Sequence, residues 1–227
     1  MLKAIIFDFD GIIADTEPIH LEAFRIVLKE MKIELSDQDY YSKYLAFDDK
    51  TLFRKIIEDN GKDHEITVIN NLIDKKHILI TEFFTSQISL FPGFEDFLEL
   101  VKNRYALSIA SGALKSEIEF ILNKFNLLSE FKIIIAADEV INCKPHPEPF
   151  IKALKKLNDI HDDEIKPTEC LVFEDSNYGV QAAKAAGMNC IGITNSYDRN
   201  TLKKADLLVD SFKELNIDII ESLFSNS

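Results

Sequence analysis

Two aspartates one residue apart, Asp8 and Asp10, close a short apolar run and are followed directly by Gly11. Glycine permits a sharp backbone turn there, so both carboxylates could face one site. Placed after Ile5, Ile6 and Phe7, they are costly to bury unless a cation or hydrogen bonds satisfy them. A second acidic pair, Glu174-Asp175, closes the run Leu171-Val172-Phe173. Four carboxylates converging from two strand ends would form an oxygen-rich site, and hard oxygen donors suit Mg2+ much better than zinc. Each pair also has a plainer reading: a solvated acidic turn for Asp8 and Asp10, a helix-capping acid for Glu174-Asp175.

Such a site would need positive partners to take an anion. Ser111-Gly112 ends another apolar run just before a helical pattern, where a hydroxyl and backbone N–H groups can donate to an anion at a helix N-terminus; a simple cap is the alternative. Lys144 precedes Pro145, which fixes an extended or turned backbone, and is either a surface lysine or the fixed positive charge of an anionic site.

The elements that must position these residues alternate. Strands are expected over Ala4–Phe9, Ala106–Ala110, Ile133–Ala136, Leu171–Phe173, Cys190–Ile193 and Leu207–Val209. Amphipathic helices are expected over Glu95–Lys102, Lys115–Phe125, Pro147–Leu157 and Tyr178–Ala186, the last stopped by Gly187. Strand then helix, repeated, predicts an α/β fold with a Rossmann-like parallel sheet flanked by helices. Sites in such sheets form at the carboxyl ends of the strands, where Asp8, Asp10, Ser111, Asp138 and Glu174-Asp175 all fall. Between Pro18 and Thr85 the pattern is helical only, over Ile19–Met31, Asp37–Tyr44, Lys50–Asp59 and Ile66–Phe84. This predicts a core of residues 1–15 and 86–227 carrying an inserted all-helical domain, 16–85.

The chain of 227 residues has a formal net charge of −13 without long blocks of one sign, which argues against broad contact with nucleic acid or anionic membranes. Three scattered cysteines, Cys143, Cys170 and Cys190, offer neither a disulfide framework nor a zinc cluster. The first apolar run is too short for a signal segment or a membrane span, so a cytoplasmic protein is expected. A monomer is the working expectation, with the oligomeric state open.

Four ordered segments carry a family resemblance: Phe7-Asp8-Phe9-Asp10-Gly11-Ile12-Ile13-Ala14-Asp15-Thr16, Ser111-Gly112, Lys144-Pro145-His146-Pro147-Glu148-Pro149-Phe150, and Phe173-Glu174-Asp175-Ser176-Asn177-Tyr178-Gly179-Val180. Together they resemble the four motifs of the haloacid dehalogenase superfamily. The resemblance spans the chain and is closest to the sugar-phosphate phosphatase and β-phosphoglucomutase-like branch, whose helical cap follows the first motif. It implies Asp8 as a nucleophile forming an aspartyl-phosphate and Asp10 as the general acid and base. It implies Mg2+ held by the Asp8 carboxylate, the Asp10 carbonyl and Asp175, with Glu174 in a direct or water-mediated role. Ser111, Gly112 and Lys144 would contact the phosphoryl group. An aspartate at position 10 favours an alcohol leaving group over a halide, hence a small phosphate ester as substrate.

The resemblance also places Thr16 at the cap hinge and matches His20 to a histidine of β-phosphoglucomutase that reports substrate to the acid/base aspartate. Mutases hold a second phosphate with a glycine followed shortly by an arginine, and Ala46 and Asp49 occupy those places here. Acidic residues there would repel a second phosphate, with Lys50 as a compensating charge. Hydrolysis of a monophosphate is therefore expected, with phosphoryl transfer between sugar positions as the alternative. A phosphonate hydrolase using a cap lysine such as Lys29 or Lys32, and a non-catalytic phosphometabolite-binding protein, rank below these.

Overall fold

The β-branched and aromatic runs pair into one sheet. The computed structural model describes residues 1–225 except 46, 48, 64, 87 and 162. In chain order the strands are β1 (Ala4–Phe7), β2 (Ala14–Asp15), β3 (Ser89–Leu90), β4 (Ala106–Ala110), β5 (Ile133–Ile135), β6 (Cys170–Glu174), β7 (Asn189–Ile193) and β8 (Leu207–Val209). The helices are α1 (Glu17–Lys29), α2 (Asp37–Asp39), α3 (Asp49–Asp59), α4 (Ile66–Ser86), α5 (Phe94–Val101), α6 (Lys115–Lys124), α7 (Glu148–Asn158), α8 (Asn177–Ala185) and α9 (Ile217–Ser222). The chain divides into two units, Met1–Asp15 with Ser89–Ser227, and Thr16–Ile88.

In the first unit six strands run parallel in the order β5-β4-β1-β6-β7-β8, the expected α/β sheet. The six expected runs supply all six. Alternation along β1 sends successive side chains to opposite faces. Phe7 enters an aromatic cluster, stacked on Phe173 at 5.2 Å and edge-on to Phe94 at 5.7 Å and Phe131 at 5.9 Å. Ile6 packs on the other face with Phe150, Leu154, Val172 and Val180. Burial on both faces explains why these strands read as unbroken apolar runs.

One pairing was not expected. β2 and β3 form a short antiparallel ribbon, Ala14 opposite Leu90 and Asp15 opposite Ser89, so the chain leaves and rejoins this unit at neighbouring residues. Two-residue strands carry no period by which sequence could reveal them.

The second unit is helical. Leu21, Phe24, Val27 and Leu28 of α1 pack with Leu52, Phe53 and Ile56 of α3 and with Ile69 and Leu72 of α4. The Tyr40 hydroxyl donates to Glu17 Oε2 at 2.7 Å, tying the Asp37–Tyr44 stretch to α1. Among the described residues no helix is long and apolar enough to cross a membrane.

Candidate active site

The carboxyl end of β1 turns at once. The Phe9 carbonyl accepts from the N–H groups of Ile12, Ile13 and Ala14, and Gly11 N–H donates to the Ala14 carbonyl at 3.1 Å. Gly11 has φ +75°, and a Cβ on it would lie 1.8 Å from Asp175 Oδ2. Glycine is therefore required there twice, for its backbone and for the approach of Asp175. Asp8 is buried at the end of β1, its N–H donating to the Phe173 carbonyl of neighbouring β6 at 2.9 Å.

Glu174, the last residue of β6, is fully buried. Lys144 Nζ donates to its Oε1 at 2.6 Å, and its Oε2 accepts from Asp175 N–H, Ser176 N–H and the Ser176 hydroxyl at 3.1, 3.1 and 2.9 Å. Ser176 also caps α8, its Oγ accepting from Gly179 N–H at 3.0 Å. A Cβ on Gly179 would fall 1.7 Å from Glu174 Oε1, so this helix can start beside the carboxylate only with glycine at that position.

Lys144 joins the two strands. Its Nζ lies 2.8 Å from Asp8 Oδ1 as well as 2.6 Å from Glu174. Burial disfavours its charge, but Asp8 and Glu174 outweigh burial and hold the ammonium above the ordinary lysine range. The loop before it is set by Glu148, which accepts from Ile141 N–H and from Asn142 N–H and Nδ2. The Ile141 amide first, then the Lys152 ammonium at 2.9 Å and Asn142, depress the Glu148 carboxyl to about 2.

Asp8, Glu174 and Asp175 each offer a carboxylate oxygen within 4.8 Å of the others, a geometry able to hold a metal ion. The charge is unbalanced: three buried carboxylates face one ammonium. Burial first, then Asp8, raises Glu174 to about 7, and burial with Glu174 and Asp8 raises Asp175 well above the carboxylate range. Asp8 Oδ1 is buried with the Lys144 ammonium 2.8 Å away. An oxygen-only donor set of three buried carboxylates facing a single ammonium, with surplus negative charge, fits a hard divalent cation.

Asp10 lies in the Gly11 turn, its backbone bridged to Ala14. Ser111 is buried at the end of β4, the strand beside β1, with Gly112 exposed next to it. Ser111 is not the cap of α6: its Oγ accepts from Ala113 N–H at 3.1 Å, and the helix begins only at Lys115.

The family described as haloacid dehalogenase-like hydrolase matches residues 5–193. The chain is a haloacid dehalogenase-like hydrolase. This hydrolase is 30% identical over 198 residues to a phosphorylated carbohydrates phosphatase of Thermotoga maritima, covering 86% of this chain and 87% of that one. It is 29% identical over 192 residues to the fructose-1-phosphate phosphatase of Escherichia coli, covering 83% and 95%. Among solved structures, the β-phosphoglucomutase of Clostridium difficile superposes with a TM-score of 0.80 at 26% identity, covering 99% of this chain and 97% of that one.

The remaining candidate residues of this hydrolase belong to its helical unit. Thr16 is buried and precedes α1, its carbonyl accepting from Ile19 and His20 N–H at 3.0 Å. His20 lies on α1; burial first, then the charges of Lys76 and His77, hold its imidazole well below the usual range. Lys50 is exposed on α3, as are Lys29 and Lys32 around the end of α1. Ala46 lies outside the described residues.

Asp49 does not present a bare negative charge. Lys76, only 1% exposed, places Nζ 2.5 Å from Asp49 Oδ1 and 4.0 Å from the Phe24 ring centroid. Sequence reasoning missed Lys76, although Ile69, Leu72, Ile73, Lys76 and Ile80 share the apolar spacing of one face of α4. It also missed Asn195 and Ser196, which follow β7 at the same sheet edge as Asp8 and Glu174.

Proposed function

We propose that this hydrolase is a Mg2+-dependent phosphatase of small phosphate monoesters, sugar phosphates or related metabolites, working through an aspartyl-phosphate on Asp8. The observation that carries the reading is the buried Asp8 carboxylate, 2.8 Å from the Lys144 ammonium and grouped with Glu174 and Asp175. The phosphatase names of the relatives support it.

Asp8 attacks phosphorus with one carboxylate oxygen, the ester P–O bond breaks, and Asp10 gives its proton to the departing alkoxide. Water then attacks the phosphoryl group, Asp10 takes the proton, and Asp8 is restored as phosphate leaves. Lys144 holds positive charge beside the attacking carboxylate throughout, and Ser111 with the Gly112 backbone offers donors to phosphoryl oxygens. Mg2+, when bound, neutralises the carboxylates and the phosphate charge. Asp8, Asp175 and the Asp10 carbonyl would hold it. Glu174, with both oxygens engaged, would orient Asp175 and Lys144.

The helical domain, 16–85, is proposed as the cap that excludes water from the reaction, with Thr16 at the hinge and His20 and Lys50 facing the substrate. The C. difficile relative's name keeps sugar-phosphate mutase activity as the second reading. The Asp49–Lys76 pair favours hydrolysis, because Asp49 stands where a mutase carries arginine and engages the buried Lys76 ammonium, leaving it unavailable to a second phosphate. Three free cysteines fit a reducing cytoplasm.

The test is phosphate release from p-nitrophenyl phosphate with Mg2+ or with EDTA, for wild type and Asp8→Asn. Release that needs Mg2+ and falls at least a thousandfold in the variant is expected; equal rates would remove Asp8 as nucleophile. A panel of fructose 1-phosphate, other sugar phosphates, and β-glucose 1-phosphate with its bisphosphate then separates hydrolysis from transfer.

A further inference from the structure

The segment after β7, Thr194–Tyr197, reaches both halves of the site from an element that none of the four motifs includes. Asn195 Nδ2 donates to the Gly11 carbonyl at 2.7 Å, a bond across 184 residues of chain that pins the turn between Asp8 and Ala14. Its neighbour Ser196 hydrogen-bonds the Asp175 carboxyl. The two contacts converge on one point, since a Cβ at Gly11 would meet both Asp175 Oδ2, at 1.8 Å, and Ser196 Oγ, at 2.9 Å. The loop is itself anchored: Thr194 N–H donates to the Val209 carbonyl at 3.1 Å, and its hydroxyl donates to Asp210 at 2.6 Å.

We infer that Asn195 and Ser196 are positioning residues for this active site: Asn195 fixes the turn that carries Asp8 and Asp10, and Ser196 aims the Asp175 carboxylate. Their chemistry suits these tasks. A side-chain amide donates to a carbonyl whatever the charge of the site, so it holds the turn through every step. A hydroxyl donating to one carboxylate oxygen fixes the rotation of Asp175 and leaves the other oxygen toward the cation. Groups that orient a ligating carboxylate in this way typically alter metal affinity about 10–100-fold when removed. The Ser196 half rests on the proposed metal site; the Asn195 half rests on the turn alone.

Two measurements separate them. Amide hydrogen exchange of the metal-free protein reads the turn without any assumption about activity. Asn195→Ala is expected to speed exchange over residues 9–14 about tenfold while the strands keep wild-type protection. Unchanged exchange overturns the Asn195 assignment. Calorimetric Mg2+ titration reads Asp175. Ser196→Ala is expected to weaken Mg2+ binding about tenfold, with Ser196→Thr, which keeps the hydroxyl, restoring it to within about twofold. Equal affinity in wild type and Ser196→Ala overturns the Ser196 assignment. Wild type that binds no Mg2+ overturns the metal reading and the Ser196 assignment with it, while the exchange result on Asn195 stands by itself.

Discussion

Glu174 illustrates how far a single residue is determined by its surroundings. It is a fully buried carboxylate, tolerated because four donors from Lys144, Asp175 and Ser176 surround it. Gly179 makes room for it, and Gly179→Ala would force a methyl to within 1.7 Å of Oε1. Alanine ordinarily favours a helix by up to about 1 kcal/mol over glycine, but overpacking costs about 1–3 kcal/mol, and here overpacking wins. The variant should lose about 1–2 kcal/mol in a urea melt and lose phosphatase activity along with the displaced Lys144 and Asp175. An unchanged melt would mean that Glu174 can move freely. At this scale the sequence was informative where polar residues ended apolar runs, as with Asp8, Ser111 and Glu174-Asp175. It was silent on Asn195 and Ser196, because amides and hydroxyls in loops are common and only the fold brings them 184 residues back to Gly11.

Among the elements, the long apolar runs and the 3.6-residue periods were legible because burial on one or two faces imposes them. The β2–β3 ribbon was not, and neither was the short α9. In the helical unit α1 and α4 carry a pH dependence. Burial, Lys76 and His77 keep His20 neutral in the folded protein, whereas in the unfolded chain it takes up a proton near pH 6.5. The unfolded state therefore binds more protons below that pH, so the stability linked to His20 is complete above about pH 6.5 and declines as pH falls toward the folded value. The decline is at most about 1.4 kcal/mol per pH unit. Chemical melts at pH 7.5 and 5.5 should differ more for wild type than for His20→Gln; equal differences would show that His20 does not titrate on unfolding.

For the whole molecule, charge is sorted by the polarity of the first unit. Parallel strands flanked by returning helices gather helix N-termini at the carboxyl edge of the sheet and helix C-termini at the opposite edge. The carboxylates Asp8, Glu174 and Asp175 occupy the first edge. The other edge bears a cavity of about 380 Å³ whose lining has four cations, Lys3, Lys102, Arg104 and Lys132, against two carboxylates, Glu130 and Asp163. Lys102 follows α5 directly, and its ammonium pairs with Glu99 and Glu130. The excess of negative charge at the opposite edge predicts a strong response to the cation. Adding Mg2+ at a hundred times its Kd to EDTA-treated protein contributes about 2.7 kcal/mol and should raise the melting midpoint by about 5–10 °C. Asp175→Asn should abolish most of that shift, and a full shift in the variant would place the cation elsewhere.

The β2–β3 ribbon means that Asp15 and Ser89 stand side by side as partners in a hairpin whose loop happens to be 73 residues long. Such a loop is a replaceable cartridge. A two-residue Asn-Gly turn is the usual closure for antiparallel strands, and joining Asp15 to Ser89 through one leaves every strand of the six-stranded sheet and its register in place. The shortened chain should fold and bind Mg2+, which circular dichroism and calorimetry would establish. The same junction would accept helical inserts of other sequences, so under the proposed function substrate selectivity could be exchanged as a block without altering the strand that carries Asp8.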